Sequence, residues 1–388
     1  MSDATIRRPG LLRRVVVLAD ESANWKIAGL RQLDRLALTL QEFASAKQPN
    51  EQIEVCVVWN SEFRAAVRND SRLENLTIKN GDTAEIATDL VLSTRQLLYR
   101  GSVAQLLALP NGKSADGNHN LVCAYLGSPR DIAAGERRFL EQNGKSQDGL
   151  VSRHVNRRGS RWLSRWLLKL PIAPTVWSAV IFILPILASF AFLRGTYLSF
   201  VIGAAIFQVY SIVDGCDGEI ARAKFMQTEF GRRFDSLCDL VGNVLLAVTL
   251  GFGLARQANS LTNASWFYAA EGIAAAMLIL TSEGIVFARR SRAENNPAPT
   301  GRWEGVLYQR HHEFLERSGI LFFGERFAWW LVQLTKRDMA MLAFFFLALL
   351  NCSACSLHLL LTVSAISSAF AGNAFLRQPA PAVAQEAS

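Results

Sequence analysis

Four aspartates, Asp214, Asp217, Asp235 and Asp239, fall within the stretch VDGCDGEIARAKFMQTEFGRRFDSLCD, in a part of the chain otherwise apolar enough to lie in a bilayer. One aspartate at the centre of a membrane helix costs roughly 2.5 to 3.5 kcal/mol even on the lenient insertion scale. Four close together therefore demand a compensating partner, and a divalent cation is the natural one. Asp214 and Asp217 are spaced i, i+3, and Asp235 and Asp239 i, i+4, so each pair projects from one face of its own helix. If the two helices pack antiparallel through the intervening turn, the pairs face each other near the membrane surface. An all-oxygen set with room for phosphate oxygens suits Mg²⁺ or Mn²⁺, whereas zinc would want His or Cys. The reading without chemistry is a buried ion-pair network. Gly218 and Ala221 leave space beside the acids, and Gly231 allows close backbone approach where the second helix begins. Arg222 follows Asp217 by a turn and a residue and offers a guanidinium to a phosphate or an opposing carboxylate. Pro171 and Pro174 break the chain just ahead, and Thr175 and Ser178 bring hydroxyls to the same level.

The elements that must hold these side chains are apolar helices. Half of the 388 residues are apolar and 19% are charged, an average that conceals two unlike parts. Residues 1–170 read as a soluble protein, while 172–376 contain runs long enough to cross a hydrocarbon core about 30 Å thick. Six transmembrane helices are expected, over 173–193, 196–221, 232–255, 266–288, 338–352 and 355–376. Arg and Lys gather in RRGSRWLSRWLLK, RAKFMQTEFGRR, RRSR and TKRD, and are sparse in RGT, RQANSLTNAS and NCSACS. The positive-inside rule then puts the N-terminal domain and the aspartates on the cytoplasmic side of the cell (inner) membrane. The early apolar run Val15 to Ala19 ends at Asp20, too short for a secretory signal. The net charge of +8 is accounted for by this topology and by anionic headgroups, which sets nucleic acid aside as a partner.

Three further stretches have simpler readings. SRWLSRWLLKL places Trp162, Leu163, Trp166, Leu167 and Leu170 on one side of a helix, the pattern of an element lying in the interface. The insert 304–335 is also amphipathic, and its adjacent His311 and His312 point about 100° apart on a helix, a poor metal pair. The six scattered cysteines imply no disulfide framework, and Cys352 and Cys355 read as small residues in a tight turn. Lys336, Arg337 and Asp338 open the fifth apolar segment, Arg289 and Arg290 close the fourth, and Glu283 lies inside it. Each has two readings, an anchor for a polar acceptor or ordinary anchoring at the bundle end.

The spacing D-x-x-D-G-x-x-A-R-x8-G-x-x-x-D-x-x-x-D, filled by Asp214, Asp217, Gly218, Ala221, Arg222, Gly231, Asp235 and Asp239, resembles the signature of CDP-alcohol phosphotransferases. The resemblance implies a membrane enzyme that moves a substituted phosphate from a CDP-alcohol, such as CDP-diacylglycerol or a CDP-polyol, to a hydroxyl acceptor and releases CMP. It also implies Mg²⁺ or Mn²⁺ held by Asp214, Asp217 and Asp235. Asp239 would combine metal contact with the role of general base. Gly218, Ala221 and Arg222 would contact the cytidine diphosphate portion, with Gly231 completing that motif. PTVWS, Pro174 to Ser178, matches the family's P-N-x-x-T stretch, with Thr175 in place of Asn and Ser178 in place of Thr. A homodimer in contact with membrane lipids is the assembly so implied.

Residues 13–128 alternate strand-like and helix-like patterns: RRVVVLA, LRQLDRLALTLQEFASA, IEVCVVW, DLVLST and HNLVCAYLG. An α/β domain with a largely parallel, Rossmann-like sheet follows. GLRQLDRLALTLQEF resembles the post-loop helix of sugar-nucleotide nucleotidyltransferases. LADESANWKIAGL, however, has no glycine before Gly29 and carries Asp20 and Glu21 where triphosphate would approach, and Ser93 and Thr94 replace an expected metal-binding Asp. Without glycine a phosphate nest is hard to form, so the domain is read as catalytically degenerate. GKSQDGLVSRHVNRRGSRWLSRWL resembles the connector of proteins that fuse the two modules, the inositol-phosphate cytidylyltransferase and di-myo-inositol phosphate phosphate synthase group. Its Lys145, Asp148, Asn156 and Arg157 either touch substrate or dock the domains. The expected division is 1–143 for the α/β domain, 144–171 for the connector and interfacial helix, 172–377 for the membrane domain and 378–388 for a disordered tail. A bifunctional enzyme with an active cytidylyltransferase and a non-catalytic membrane scaffold are the alternatives.

Overall fold

The computed structural model describes residues 12–47, 51–60, 70–81, 89–99, 101–108, 123–142, 149–259, 265–293 and 336–376, with isolated positions between 319 and 333. Lys145, Asp148, His311, His312, most of the insert 304–335 and the tail 378–388 lie outside the described residues. The chain divides into two compact units. The first comprises 1–144, 164–171 and 219–226, and the second 145–163, 172–218 and 227–388.

The first unit is built on a four-stranded parallel sheet of order β5-β4-β1-β6. Its strands are β1 (Arg14–Ala19), β4 (Ile53–Trp59), β5 (Leu76–Gly81) and β6 (Leu90–Ser93). A parallel sheet is covered on both faces, so its strands read as continuous apolar runs. RVVVLA in β1 obeys this, with Val15, Val16, Val17 and Ala19 all buried. The register pairs Val16 with Cys56 on one side and Val91 on the other. Helix α1 (Gln32–Lys47) repeats Leu33, Leu36, Leu40 and Ala44 at helical spacing and buries them against Val15, Val17, Val55, Val57 and Leu92. A two-residue hairpin, β2 (Lys26–Ile27) and β3 (Leu30–Arg31), leads into α1. The expected last strand of the sheet, in HNLVCAYLG, stands apart. As β8 (Cys123–Tyr125) it runs antiparallel to β7 (Gln96–Leu98) in a separate ladder. Helices α2 (Ser102–Ala108) and α3 (Ile132–Gln142) complete the unit.

The second unit is helical, and two of the helices that follow, Arg157–Leu167 and Gly215–Ala223, end in segments counted with the first. The connector forms α4 (Arg157–Leu167), after which come α5 (Pro174–Ile181) and α6 (Ile183–Phe192). The break between them is explained by Pro185, which has no N–H for the Ile181 carbonyl and whose ring crowds it. Helix α7 (Tyr197–Val213) opens with a capping box, Ser199 N donating to Thr196 Oγ1 at 3.3 Å and Thr196 N to Ser199 Oγ at 3.0 Å. It runs almost without pause into α8 (Gly215–Ala223), after which come α9 (Glu229–Asn259), α10 (Ser265–Ala293), α11 (Arg337–Leu349) and α12 (Ser353–Leu376). Phe192, Phe200, Phe207, Leu246, Leu250, Met341, Phe344 and Leu357 form the core. Helices α9 and α10 meet through Gly251 and Gly272. A Cβ on Gly272 would lie 2.6 Å from the Ala247 carbonyl oxygen and 3.0 Å from Gly251 Cα, so only small residues permit this approach.

Among the described residues, four helical segments are long and apolar enough to cross a membrane: Pro174–Phe192, Tyr197–Ala223, Glu229–Ala258 and Ser353–Asn373. Six were expected. Helix α10 covers the fourth expected segment, and α11 has 13 residues, about 20 Å of rise against a core of about 30 Å. Phe190, Leu198, Trp266 and Met277 point outward and are each more than 60% exposed, at 65%, 63%, 71% and 62%. An apolar surface of this extent belongs against lipid.

Candidate active site

The aspartates are positioned by two helical joints. Asp214 is the residue between α7 and α8, and Asp217 lies on the first turn of α8. Asp235 and Asp239 occupy successive turns near the start of α9. The carboxylates of Asp214, Asp235 and Asp239 converge, each offering an oxygen within 4.8 Å of the others. Asp217, expected with them, is not in this group: it is buried and accepts hydrogen bonds from the Ser178 hydroxyl and the Gly218 amide.

The spacing of these carboxylates was legible in the sequence; two of their partners were not. Tyr210, one turn before Asp214 on α7, donates its hydroxyl to Asp239 Oδ1 at 2.9 Å. Arg337, the first residue of α11, donates through Nη1 to Asp239 Oδ1 and through Nη2 to Asp214 Oδ2. Its guanidinium carbon also lies 5.4 Å from the Tyr210 ring centroid. One guanidinium thus bridges two carboxylates from different helices, an arrangement that offsets their mutual repulsion.

The other expected residues fall as follows. The single hydroxyl proton of Ser178, on α5, goes to Asp217, with the Pro174 carbonyl 3.3 Å from the same oxygen. A Cβ on Gly231 would stand 3.6 Å from Thr175 Oγ1, which brings Thr175 to the start of α9. Gly218, Ala221 and Arg222 follow Asp217 along α8, with Arg222 buried. A Cβ on Gly215 would meet Arg157 Nη1 at 3.0 Å and Ser160 Oγ at 3.3 Å, so glycine at this joint lets α4 pass close to the aspartate helix. In the connector Asn156 is buried, donates to Ser211 Oγ at 3.1 Å and accepts from Gln208 Nε2 at 3.2 Å. Asn156 therefore ties the connector to α7. Helix α4 buries Ser160 and Ser164 and leaves Trp162 and Trp166 exposed, the face an interfacial helix presents to lipid. Glu283 lies exposed on α10; Arg289 and Arg290 are in the same helix.

The donor set fits a hard divalent cation. Three carboxylates, each offering an oxygen within 4.8 Å of the others, make an all-oxygen set of the kind that would hold Mg²⁺ or Mn²⁺. Asp214, Asp235 and Asp239 are the only such group among the described residues. With a metal held there, phosphate oxygens would complete the coordination.

A second polar cluster closes the carboxyl ends of β1 and β6 in the first unit. Asp20 Oδ2 receives Arg95 Nε at 2.5 Å, Asp20 Oδ1 receives Ser22 N at 2.8 Å, and Ser22 Oγ donates to Thr94 Oγ1 at 2.7 Å. Burial raises the Asp20 carboxyl, but the bonds from Ser22 and Arg95 outweigh it and hold the group below the usual range. In a parallel α/β sheet this edge is where ligands bind; here its carboxylate is already engaged by Arg95.

Residues 170–307 match the family model described as CDP-alcohol phosphatidyltransferase, a stretch that contains all four aspartates. Among curated proteins, the chain is similar to a bifunctional IPC transferase and DIPP synthase of Rubrobacter xylanophilus, 34% identical over 146 residues, 36% of this chain and 33% of that protein. A protein of the same description from Thermococcus kodakarensis is 34% identical over 113 residues, 29% of this chain and 25% of its own length. One from Aquifex aeolicus is 30% identical over the same extent, 29% and 25%. The matches thus span a quarter to a third of the length of these relatives.

Proposed function

We propose that the helical unit transfers a substituted phosphate from a CDP-alcohol to a hydroxyl acceptor, with Mg²⁺ or Mn²⁺ as cofactor and CMP as leaving group. The observation that carries the reading is the convergence of Asp214, Asp235 and Asp239 within 4.8 Å, in a stretch that matches the CDP-alcohol phosphatidyltransferase family. Asp214, Asp217, Asp235 and Asp239 would hold the metal, and Ser178 orients Asp217 by its hydrogen bond. When bound, the metal would neutralise charge on the diphosphate and make CMP a better leaving group.

The remaining work belongs to the chain's own groups. Asp239, held by the Tyr210 hydroxyl, accepts the proton of the acceptor alcohol. The freed oxygen attacks the β-phosphorus, a new P–O bond forms, and the bond to CMP breaks. Gly218 and Ala221 leave room for the cytidine diphosphate, and Arg222, Thr175, Ser178 and Gly231 line its approach. Arg337, already bridging Asp214 and Asp239, supplies positive charge where the phosphates arrive. Proximity of the two bound substrates provides much of the acceleration, so Asp239 need not be a strong base in solution.

The donor is CDP-diacylglycerol or a CDP-polyol. The reading extends to six membrane-crossing helices, with α10 and α11 among them, to a site on the cytoplasmic face of the inner membrane and to a homodimer. The α/β unit is a nucleotidyltransferase relative that has lost its own chemistry, supported by the Arg95–Asp20 pair at its sheet edge. Incubating the purified full chain with a panel of CDP-alcohols, acceptor alcohols and Mg²⁺, and identifying products by mass, tests all of this together. CMP and a phosphodiester in equal amounts are expected. CTP-dependent pyrophosphate release would instead reveal an active first unit, and absence of both metal and CDP binding would mark a scaffold.

A further inference from the structure

Helix α8 is the end of the helical segment Tyr197–Ala223, where fraying begins, and its last turn carries Ala221 and Arg222. Its C-terminal end is therefore where the donor motif is most easily lost to fraying. The end closes in a Schellman turn: Met226 N donates to Ala221 O at 2.8 Å and Phe225 N to Arg222 O at 3.4 Å. The left-handed position of that turn, normally glycine, is Phe225 at φ 54°, a conformation that L side chains disfavour. Something must hold it.

The holding groups come from the α/β framework of the first unit, to which 219–226 also belong. Arg35, on α1 and 1% exposed, donates through Nη1 to the Ala223 carbonyl at 2.9 Å, and through Nη2 to Ile27 O at 2.6 Å. Its guanidinium carbon lies 4.5 Å from the Phe139 ring centroid and 5.9 Å from that of Phe225, which explains why an aromatic residue serves at the turn. Arg72 donates through Nη1 to both Lys224 O, at 2.9 Å, and Phe225 O, at 3.0 Å. Asp70 takes its other nitrogens, Nε at 2.9 Å and Nη2 at 2.5 Å, and so aims the fork. Lys224 Nζ in turn reaches Leu170 O at 2.7 Å. The Ala223 carbonyl at the helix end and the Lys224 and Phe225 carbonyls of the turn are thus met by two guanidinium groups, which also suits the negative end of the helix dipole.

We propose that Arg35 and Arg72 are positioning residues for the phosphotransfer reaction: they clamp the C-terminal end of α8 and thereby fix Ala221 and Arg222 toward the CDP donor. On this account Arg35 and Arg72 serve as the cap of the last turn of α8. The claim rests on the donor role proposed for Ala221 and Arg222.

The test uses the full chain in detergent with Arg72→Gln, since Arg72 is partly exposed, and Arg35→Lys as the second variant. Hydrogen exchange of a peptide covering residues 217–228 is expected to quicken about tenfold in Arg72→Gln, the order expected for losing charge-assisted hydrogen bonds. Peptides from β1 and β4 should be unchanged. CDP binding in the presence of Mn²⁺, read by calorimetry, should weaken at least fivefold. Unchanged exchange at 217–228, or equal acceleration in β1 and β4, overturns the clamp. Local acceleration with unaltered CDP affinity overturns its role in the reaction. Failure of the wild type to bind CDP would sink the donor reading, and with it that role, while the exchange arm still decides the clamp.

Discussion

In the proposed mechanism the proton of the acceptor alcohol goes to Asp239, which shares an oxygen between Tyr210 and Arg337 while standing with Asp214 and Asp235. Replacing it with Asn keeps the size and most hydrogen bonds but removes the basic oxygen. CMP release by Asp239→Asn is expected to fall by roughly 10²- to 10⁴-fold, with the protein still folded by circular dichroism; near wild-type turnover would contradict the assignment. The four aspartates were legible because i, i+3 and i, i+4 spacing says which face a side chain takes before any fold is known. Ser178 was legible for the same reason, as a hydroxyl one turn into a helix that Pro174 begins. Tyr210 had a usable signal, lying one turn before Asp214, yet an aromatic residue in an apolar helix resembles ordinary core. Arg337 had less, since it stands 98 residues from Asp239 and its local setting equally describes anchoring at a helix end.

At the scale of elements, the alternation of apolar runs announced β1, α1, β4 and β6, because a doubly covered parallel strand and an amphipathic helix each have a distinct period. It did not announce that β8 would leave the sheet, since the partner of a short strand is chosen by tertiary context. Helix α11, by contrast, was legible: the expected segment 338–352 is already the shortest of the six, and the helix found there has 13 residues. The α9–α10 contact makes a direct prediction. Gly272→Leu must push against the Ala247 carbonyl, 2.6 Å from where its Cβ would sit, and should cost about 1 to 3 kcal/mol, seen as a lower unfolding temperature in detergent. The α/β unit should also be acid-sensitive. Asp70 is lowered by its hydrogen bonds to Arg72, and Asp20, despite burial that raises it, is lowered by Ser22 and Arg95. A depressed folded value means that the stabilisation is complete above the ordinary carboxylate value of about 3.9 and is lost as pH falls through the lower folded ones. Urea unfolding of this unit, followed by tryptophan fluorescence, should shift to lower midpoints below about pH 4; a flat profile there would remove these ion pairs from the stability account.

For the whole molecule, apolar length was enough to distinguish an α/β part from a part made of long apolar helices, because it is a sum over many residues. The sequence placed the border at a continuous connector. The structure instead groups 164–171 and 219–226 with the α/β unit, a pairing that depends on Arg35, Arg72 and Lys224 finding backbone carbonyls far away in the chain. No local pattern encodes such contacts. The central claim, that Asp214, Asp235 and Asp239 form a cage for a divalent ion, is tested most directly by titrating Mn²⁺ into the purified full chain and following free Mn²⁺ by electron paramagnetic resonance. Saturable binding is predicted for the wild type, weakened at least tenfold in both Asp214→Asn and Asp239→Asn and displaced by Mg²⁺. Equal Mn²⁺ binding by wild type and both variants would contradict it.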